Sequence, residues 1–356
     1  MKRIFMLFIA LCLMSGMLLP AYAEPETRVI SDCLGREVEV PASVERIVCT
    51  GVGALRYVCY LGAQDLVVGV EEHETEAVLQ RLYTYVNHEQ FSQLPIIGMK
   101  DEPDPEALIA IDPQVIVMSA YLDGADDLQA KTGIPVVVVP GNDSTLDDKA
   151  YETLRLLGEL LGREDDAAEI TDYLQGVAAD LEARTADIPD EEKPSVYIGG
   201  VSFKGQHGFE GTEAHYGPFE LIHARNLADE VSGQSSAFNI DPEQVLAWDP
   251  DVIFLDYNGM PLINEDYAKN PDFYDALTAV AEGRVYAQIS FRHCASNLET
   301  ALADAYYAAS VLYPERFADV DPAEKADEIF EKLLGRRVYG ELTEAGYAFE
   351  QINIGG

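Results

Sequence analysis

Basic residues are scarce in this sequence, and their scarcity limits what the protein can bind. Among 356 residues there are 24 lysines and arginines but 63 aspartates and glutamates, so the formal net charge is −39. A surface this negative repels phosphate backbones and anionic lipid, which argues against nucleic-acid binding and against docking on acidic membranes. The charge favours cationic partners, and it is equally consistent with simple solubility or with a salty habitat.

Cysteine and histidine are also few. The chain has five cysteines and six histidines, with no Cys-x-x-Cys motif and no Cys/His ligand spacing, so no zinc module is indicated. Cys49 and Cys59 stand in apolar settings that are typical of buried free thiols, and the pairing of the cysteines stays open. Disorder is excluded as well, because 48% of the residues are hydrophobic.

A single long apolar run stands at the N-terminus. Lys2 and Arg3 precede it, it extends over 4–19, and Pro20 ends it before the small-x-small motif Ala-Tyr-Ala. A membrane-spanning helix needs about twenty apolar residues, and this run is shorter. We therefore predict a signal peptide at 1–23 and an exported protein, periplasmic or otherwise extracytoplasmic.

Short β-rich segments alternate with helical ones along the remainder of the chain. Apolar runs without polar alternation lie at 46–49, 66–70, 115–118, 136–139, 195–198, 252–255 and 284–286. Strands of this kind are buried on both faces, as in parallel sheets covered by helices. The pattern predicts an α/β fold of two Rossmann-like lobes with mostly parallel sheets, joined by one long helix.

The joining helix is predicted from a tract between the two halves. Apolar residues recur there at spacings of three and four from Ala167 to Leu181, which is the pattern of one helix face. A helix of about twenty residues spans roughly 30 Å and would connect two lobes as a strut. The predicted divisions are a signal peptide at 1–23, an N-terminal lobe at 24–163, an interdomain helix at 164–192, a C-terminal lobe at 193–335 and a tail at 336–356.

One segment of the sequence occurs twice. Residues 104–116 and 241–253 align without gaps, and most of their positions are identical. Each copy has Asp as a helix N-cap, Pro at the first helical position and Glu in the first turn. A short helix, a second Asp-Pro and a strand follow in both copies. The repeat predicts that the two lobes share one fold.

These features together resemble a known family. The segment from Gly35 to Val48, the strand ending at Val70, both Asp-Pro-Glu helices and the strand at 283–286 occur in a characteristic order. They are similar to the substrate-binding proteins of ABC importers for iron-siderophores, haem and cobalamin, over roughly residues 28–335. The resemblance implies two lobes joined by a rigid helix and a ligand held between them. It also implies delivery to a membrane permease driven by a cytoplasmic ATPase.

The resemblance also assigns a role to the repeated glutamates. In such relatives a surface glutamate on each lobe engages arginines of the permease, and Glu106 and Glu243 stand at the matching positions. Paired acids on equivalent lobe surfaces suit a pseudo-symmetric basic partner. Each residue also suits the dipole of its helix, and the two roles are compatible.

Candidate binding residues follow from the rule that ligands of α/β folds bind beyond the carboxyl ends of the strands. In the N-terminal lobe this rule selects Gly51, Gly53, Arg56, His73, Lys100 and Tyr121. In the C-terminal lobe it selects Lys204, His207, Tyr216, Tyr257, Phe291, Arg292, His293 and Asn297. Arg56 stands where a dinucleotide fingerprint would need a third glycine, so nucleotide binding is poorly supported. His73 belongs to an acidic run that is also typical of a solvated surface.

The candidate residues suggest three kinds of contact. Lys204 and Arg292 are expected to meet carboxylates or an anionic chelate. His207 and His293 are candidate metal ligands, with a merely hydrogen-bonded histidine as the alternative. Aromatic packing on a macrocycle or catecholate is expected from Tyr121, Tyr216, Tyr257 and Phe291.

The sequence thus predicts an exported binding protein that captures an iron(III) chelate, siderophore-like in type, without a resident cofactor and without catalysis. Cobalamin and haem are the alternative ligands for a protein of this type. An exported α/β metal-dependent hydrolase is the alternative from another class, although neither a nucleophile–base pair nor a metal triad is visible in the sequence.

Overall fold

The computed structural model describes residues 26–141, 145–231, 233 and 236–355. The predicted signal peptide at 1–23 lies outside these residues. Within them, no helix combines the length and the apolar character that crossing a membrane requires. The cysteines at 33, 49, 59 and 294 carry free thiols.

The first half of the chain builds a four-stranded parallel sheet. The strands of this half of the chain, in that sheet and outside it, are β1 (Thr27–Ser31), β2 (Glu37–Pro41), β3 (Ile47–Thr50), β4 (Val67–Gly69), β5 (Gly98–Met99), β6 (Glu102–Pro103), β7 (Val115–Ser119) and β8 (Val136–Val139). The parallel sheet has the order β4-β3-β7-β8, while β1 and β2 form an antiparallel hairpin and β5 pairs with β6. Every residue of β3, β7 and β8 is buried, as predicted for strands covered on both faces.

The second half builds a sheet with the same order. The strands of this half of the chain, in that sheet and outside it, are β9 (Ser195–Gly199), β10 (Gly211–Glu213), β11 (Arg225–Asn226), β12 (Ala237–Asn239), β13 (Val252–Asp256) and β14 (Val285–Gln288). The parallel sheet runs β11-β9-β13-β14, and β10 pairs antiparallel with β12 outside it. Counted within each parallel sheet, both halves have the order second, first, third, fourth. The predicted fold class, two lobes with parallel sheets, is confirmed.

Helices cover the faces of both sheets. They are α1 (Ala54–Tyr60), α2 (Leu82–Val86), α3 (His88–Phe91), α4 (Pro105–Ile111), α5 (Ala125–Thr132), α6 (Asp148–Leu161), α7 (Glu164–Thr185), α8 (Gly217–Glu220), α9 (Pro242–Trp248), α10 (Met260–Tyr267), α11 (Pro271–Asp275), α12 (Thr278–Ala281), α13 (Leu298–Leu312), α14 (Pro322–Leu334) and α15 (Tyr339–Glu344). Short 3₁₀ turns lie at Gln64–Leu66, Glu72–Thr75, Asp190–Glu192, Leu227–Glu230 and Tyr257–Gly259.

The repeated segment forms equivalent helices in the two lobes. The Asp104 carboxylate accepts a hydrogen bond from the backbone N–H of Glu106 at 2.9 Å, and Asp241 accepts one from Glu243 at 3.0 Å. Both helices have seven residues, and both end at an aspartate in the left-handed conformation, with φ 55° in α4 and 48° in α9. The capping chemistry read from the sequence therefore operates in both copies.

The long helix α7 is shorter than the segment predicted for it. It ends at Thr185, whereas the sequence suggested an interdomain helix over 164–192. Pro189 disfavours helical backbone at the residue before it, and a 3₁₀ turn follows at Asp190–Glu192. The buried stripe of the helix includes Leu174 and Leu181, in line with the predicted apolar face. The lobe boundaries themselves stay a prediction.

The segment at 336–356, for which the sequence offered no account, packs onto the body of the protein. Gln351 forms an antiparallel bridge with Tyr286 of the edge strand β14. The phenol of Tyr347 accepts a hydrogen bond from the Gln80 side-chain amide at 2.8 Å, which ties this segment to the first half of the chain. The segment is therefore part of the structure that holds the two halves together.

Candidate functional site

A cavity of about 570 Å³ lies beyond the carboxyl ends of the second sheet. Thr145 contributes to it from the first half of the chain, following β8. The described lining consists of Thr145, Phe203, Lys204, Glu213, His215, Gly217, Glu220, Ser236, Ala237 and Arg292. The cavity therefore lies between the two lobes, where parallel α/β sheets bind their ligands.

The two lobes touch at one edge of this cavity. Gly217 begins α8, and a Cβ at this position would lie only 1.7 Å from the Thr145 hydroxyl oxygen. A side chain at 217 would therefore force the Thr145 side chain to move. The Thr145 side chain is itself buried.

An ion pair forms part of the cavity wall. The Arg292 Nε donates to Glu213 Oε2 at 2.7 Å, and its Nη2 donates to the second oxygen of the same carboxylate. The Glu213 side chain is 2% exposed and that of Arg292 is 23% exposed. Arg292 was predicted as a ligand contact, whereas Glu213 was not. In a chain with 63 acids, no sequence signal marks this one.

Lys204 enters the wall from the glycine-rich loop after β9. Gly200 in this loop has φ 78°, and a Cβ there would lie 3.0 Å from the Asp256 carbonyl oxygen, so the close turn requires glycine. Lys204 is exposed and has φ 50°. The ring of Phe203 stacks on His207 with centroids 3.9 Å apart, and Nε2 of His207 lies 2.9 Å from the Phe203 carbonyl oxygen.

Arg56 does not occupy the place that the sequence suggested. It is 1% exposed, and its guanidinium donates to the carbonyl oxygens of Ser296 at 2.8 Å and Cys294 at 2.7 Å. Cys294 and Ala295 have φ values of 54° and 68°, which non-glycine residues seldom adopt. Arg56 therefore supports the strained loop between β14 and α13, and its burial leaves no surface for the predicted ligand contact.

A second buried contact joins the same two regions. The Tyr60 hydroxyl donates to the Glu299 carboxylate and accepts from the backbone N–H of Leu298 at 3.2 Å. Burial raises the pKa of Glu299 and that of Tyr60, and each is 3% exposed or less. Asn297, another predicted contact, is buried and donates to the Phe291 carbonyl at 2.7 Å, so it fixes the loop.

Three of the four residues predicted to form an aromatic wall lie outside the described cavity lining. Tyr216 and Phe291 are each 1% exposed and pack edge to face with centroids 5.4 Å apart. The Tyr216 hydroxyl donates to Gln288 at 3.0 Å inside the core. Tyr257 is half-buried, and its hydroxyl donates to the Ala348 carbonyl at 2.7 Å. These rings fill the interior because the apolar core takes them up, and none belongs to the described cavity lining.

The glycines predicted in the N-terminal lobe shape the turn after β3. Gly51 and Gly53 have φ values of 81° and 91°, and Gly53 is the N-cap of α1. The Gly51 N–H donates to the Glu71 carboxylate at 3.2 Å. Tyr121, 38% exposed, lies with its ring against Gly141. The turn and this ring stand beyond the carboxyl ends of the first sheet.

His73, Lys100 and His293 gather near this turn. His73 Nε2 lies 3.3 Å from a Glu74 oxygen, and Lys100 is exposed. Burial lowers the pKa of His293 to about 4, helped by the positive charges of Arg81 and Lys100. Within the part of the chain that the structure describes, no group of three or more His, Cys, Asp or Glu side chains could hold a metal.

Buried carboxyl groups lie behind the cavity wall. Burial raises the pKa of Asp256 to about 7, although Asn258 N–H donates to it at 2.8 Å and the Ser290 hydroxyl also donates. Burial and the Asp256 charge raise the pKa of Asp304, which accepts from the Ile289 N–H at 3.1 Å. The Glu213 charge contributes to the raised pKa of Asp256. The cavity wall is thus electrostatically linked to the core.

Comparison with known sequences finds one family. The profile described as Periplasmic binding protein matches residues 47–288. The Fe(3+)-citrate-binding protein YfmC of Bacillus subtilis is 22% identical over 262 residues, which are 73% of this chain and 78% of that protein. The molybdate-binding protein MolA of Haemophilus influenzae is 22% identical over 342 residues, which are 90% of this chain and 94% of that protein.

Solved structures share the fold. A periplasmic solute binding protein from Veillonella parvula superposes with a TM-score of 0.72 at 16% identity, covering 91% of this chain and 97% of that one. Molybdate-bound MolA superposes with a TM-score of 0.68 at 20% identity, covering 87% of this chain and 98% of that one. Identities this low establish a common architecture and leave the ligand open.

Proposed function

The chain belongs to the periplasmic binding protein family, and from this membership we propose that it captures an anionic iron(III) chelate between its lobes for an ABC importer. Its relatives are solute-binding proteins, and it is likewise a solute-binding protein and not an enzyme. The metal-dependent hydrolase considered from the sequence is therefore set aside. Within the family the open question is the solute.

The cationic side chains of the cavity carry the proposal. Lys204 and Arg292 enter it from different loops, so a ligand with several carboxylates can engage both. YfmC, a relative, binds Fe(3+)-citrate, which is a ligand of this kind. The chemistry of the wall therefore favours a carboxylate-rich ferric chelate.

The size of the cavity helps to choose among the ligands of the relatives. Cavities of about 300–1,000 Å³ suit ligands with many atoms, and a volume of about 570 Å³ lies within that range. A bare oxyanion such as molybdate would fill a small part of it, since one water molecule takes up about 30 Å³ in the liquid. Aromatic packing was the support expected for a macrocycle such as haem or cobalamin, and Tyr216, Tyr257 and Phe291 lie outside the described cavity lining.

The proposed partner is a membrane permease with its cytoplasmic ATPase. Glu106 and Glu243 are exposed on equivalent helices of the two lobes, which suits docking to a basic, pseudo-symmetric surface. Delivery to such a permease requires export, for which the predicted signal peptide at 1–23 would serve. The net charge of −39 gives no support to a nucleic-acid partner.

Isothermal titration calorimetry tests the choice of ligand. The titrants are ferric citrate, a ferric catecholate, a ferric hydroxamate, haem, cobalamin and molybdate. Ferric citrate is expected to bind at least about tenfold more tightly than molybdate, haem or cobalamin. Trp248, the single tryptophan, lies on α9 and outside the described cavity lining, so calorimetry is a better probe than its fluorescence.

Variants of the cavity cations link the binding to this site. Lys204→Gln and Arg292→Gln should each weaken ferric citrate by about tenfold or more, because each removes a charged hydrogen-bond donor. Lys131→Gln, on the exposed face of α5 and paired with Asp127, is the matched control and should leave the affinity unchanged. Tightest binding of molybdate, or unchanged affinity in both cavity variants, would contradict the proposal.

A further inference from the structure

The Glu213 carboxylate occupies the position from which an anionic ligand would be expected to approach Arg292. It receives both Nε and Nη2 of the guanidinium, which is the two-point contact that arginine makes with carboxylates in general. Glu213 stands at the end of β10, where Gly211–Glu213 pairs with Ala237–Asn239, so its backbone is fixed. A ligand carboxylate and Glu213 therefore compete for the same donors.

We propose that Glu213 is a specificity-determining residue, an internal anion that holds Arg292 and that a ligand must replace with its own negative charge. The inference rests on the proposed function, because it concerns the same cavity. A neutral solute or a single weak acceptor forms weaker hydrogen bonds with the Arg292 guanidinium than the Glu213 carboxylate already does. A chelate with several anionic groups can, since it engages Lys204 at the same time.

The burial of Glu213 makes the replacement costly and measurable. A carboxylate that is 2% exposed is stabilised by its cation, and a buried acid whose cation turns away is driven towards its protonated form. The charged and titratable side chains around the pair are Asp256, Asp304 and Tyr216 on the core side, and Lys204, His215 and Glu220 on the cavity side. Ligand binding should therefore take up protons from solution.

The test compares Glu213→Gln with the wild-type protein by calorimetry, using ferric citrate, citrate and molybdate as anions. Glu213→Gln is expected to bind the preferred anion about tenfold more tightly and to take up fewer protons. Proton uptake is measured at pH 7 from titrations in buffers of different ionisation enthalpy. Glu220→Gln is the matched control, because this acid lines the same cavity but pairs with His215 at 3.0 Å and not with Arg292. The anion affinity of this variant should increase by less than about threefold.

A double-mutant cycle separates competition from a general charge effect. In an Arg292→Gln background, Glu213→Gln should no longer improve the affinity, because the contested donor is gone. An equal gain in that background would overturn the proposal, and so would wild-type binding without proton uptake. The proton measurement uses the wild-type protein, so it decides the matter even if Glu213→Gln fails to fold.

The outcomes keep the two proposals apart. If molybdate binds most tightly and Glu213→Gln strengthens it, the ferric chelate is wrong and the role of Glu213 stands. If ferric citrate is preferred and Glu213→Gln weakens it or leaves it unchanged, the ligand stands and the role of Glu213 is wrong. If no anion binds either protein, both are wrong.

Discussion

Arg56 joins two parts of the chain that are far apart in sequence. Its guanidinium bonds to the carbonyl oxygen of Ser296, 240 positions later, and both groups are buried. Arg56→Met leaves these carbonyl oxygens without their donor, so the free energy of unfolding should fall by about 3 kcal/mol in urea denaturation. Arg46→Met is the control, because Arg46 also donates to carbonyl oxygens, of Ile111 and Asp112, but is exposed. It should cost less than about 1 kcal/mol. Equal losses would contradict the role given to Arg56.

Asp256 predicts a pH dependence of stability. Burial raises its pKa to about 7 in the folded protein, whereas the unfolded chain releases this proton near pH 4. Between these values the folded state holds more protons, so this residue makes the protein less stable as pH rises from about 4 to 7, and the loss persists above. Asp256→Asn keeps an acceptor without the charge, so it should flatten this slope. It should also raise the free energy of unfolding at pH 8 by about 2 kcal/mol.

The control for this pH dependence is Asp251, whose pKa is shifted in the opposite direction. The Ser195 hydroxyl donates to Asp251 at 2.7 Å and lowers its pKa, so its stabilisation is present above pH 4 and is lost in acid. Asp251→Asn should therefore lose stability at neutral pH. Thermal unfolding from pH 4 to 8 measures both variants. A wild-type slope that Asp256→Asn leaves unchanged would refute the assignment.

Single residues also show what sequence reasoning could reach. Lys204 and Arg292 could be predicted, since each follows a parallel strand in a loop, and both line the cavity. Glu213 could not, because its role depends on meeting a side chain 79 positions away. Arg56 was assigned to the ligand for its place after a glycine turn, but tertiary packing buried it. Charge near a strand end thus indicates a site, while burial decides which charges remain in it.

At the scale of elements, prediction succeeded where the chemistry is local. The N-caps of α4 and α9 could be read from Asp-Pro-Glu because capping involves neighbours two or three positions apart. The strands could be read from apolar runs for the same reason. The tail at 336–356 could not, because it is ordered by long-range contacts such as the bridge between Gln351 and Tyr286.

The equivalent helices carry a prediction about transport. Glu106 and Glu243 are exposed and accept no hydrogen bond that an alanine would remove from the fold among those the structure describes. The double variant Glu106→Ala/Glu243→Ala should bind the ligand with wild-type affinity but lower uptake about tenfold or more, since paired charges steer docking. Uptake of radioactive iron by cells with the cognate permease, together with calorimetry, measures the two effects.

The control for docking is a pair of acids elsewhere on the surface. Glu159→Ala/Glu164→Ala alters two acids that line a groove at α6 and α7 rather than the repeated helices. This variant removes the same charge and should transport normally. Weaker ligand binding in the Glu106/Glu243 variant, or equally poor transport by the control, would contradict a docking role.

The whole molecule predicts a small movement on ligand binding. The lobes are joined by α7, by the bonds of Arg56 to the loop before α13, and by packing of α14 against α1 and α2. A hinge-like closure of the cleft would break these buried contacts. The free energy lost in doing so exceeds the free energy gained from a single ligand contact. The radius of gyration, about 20 Å for a chain of this length, should therefore change by less than about 0.5 Å in small-angle X-ray scattering with saturating ferric citrate. Arg56→Met loosens one of these connections and should allow a larger decrease, so the comparison tests whether the Arg56 contact limits closure. A decrease of more than about 1 Å in the wild-type protein would show that the lobes rotate freely and that the buried contacts yield to the ligand.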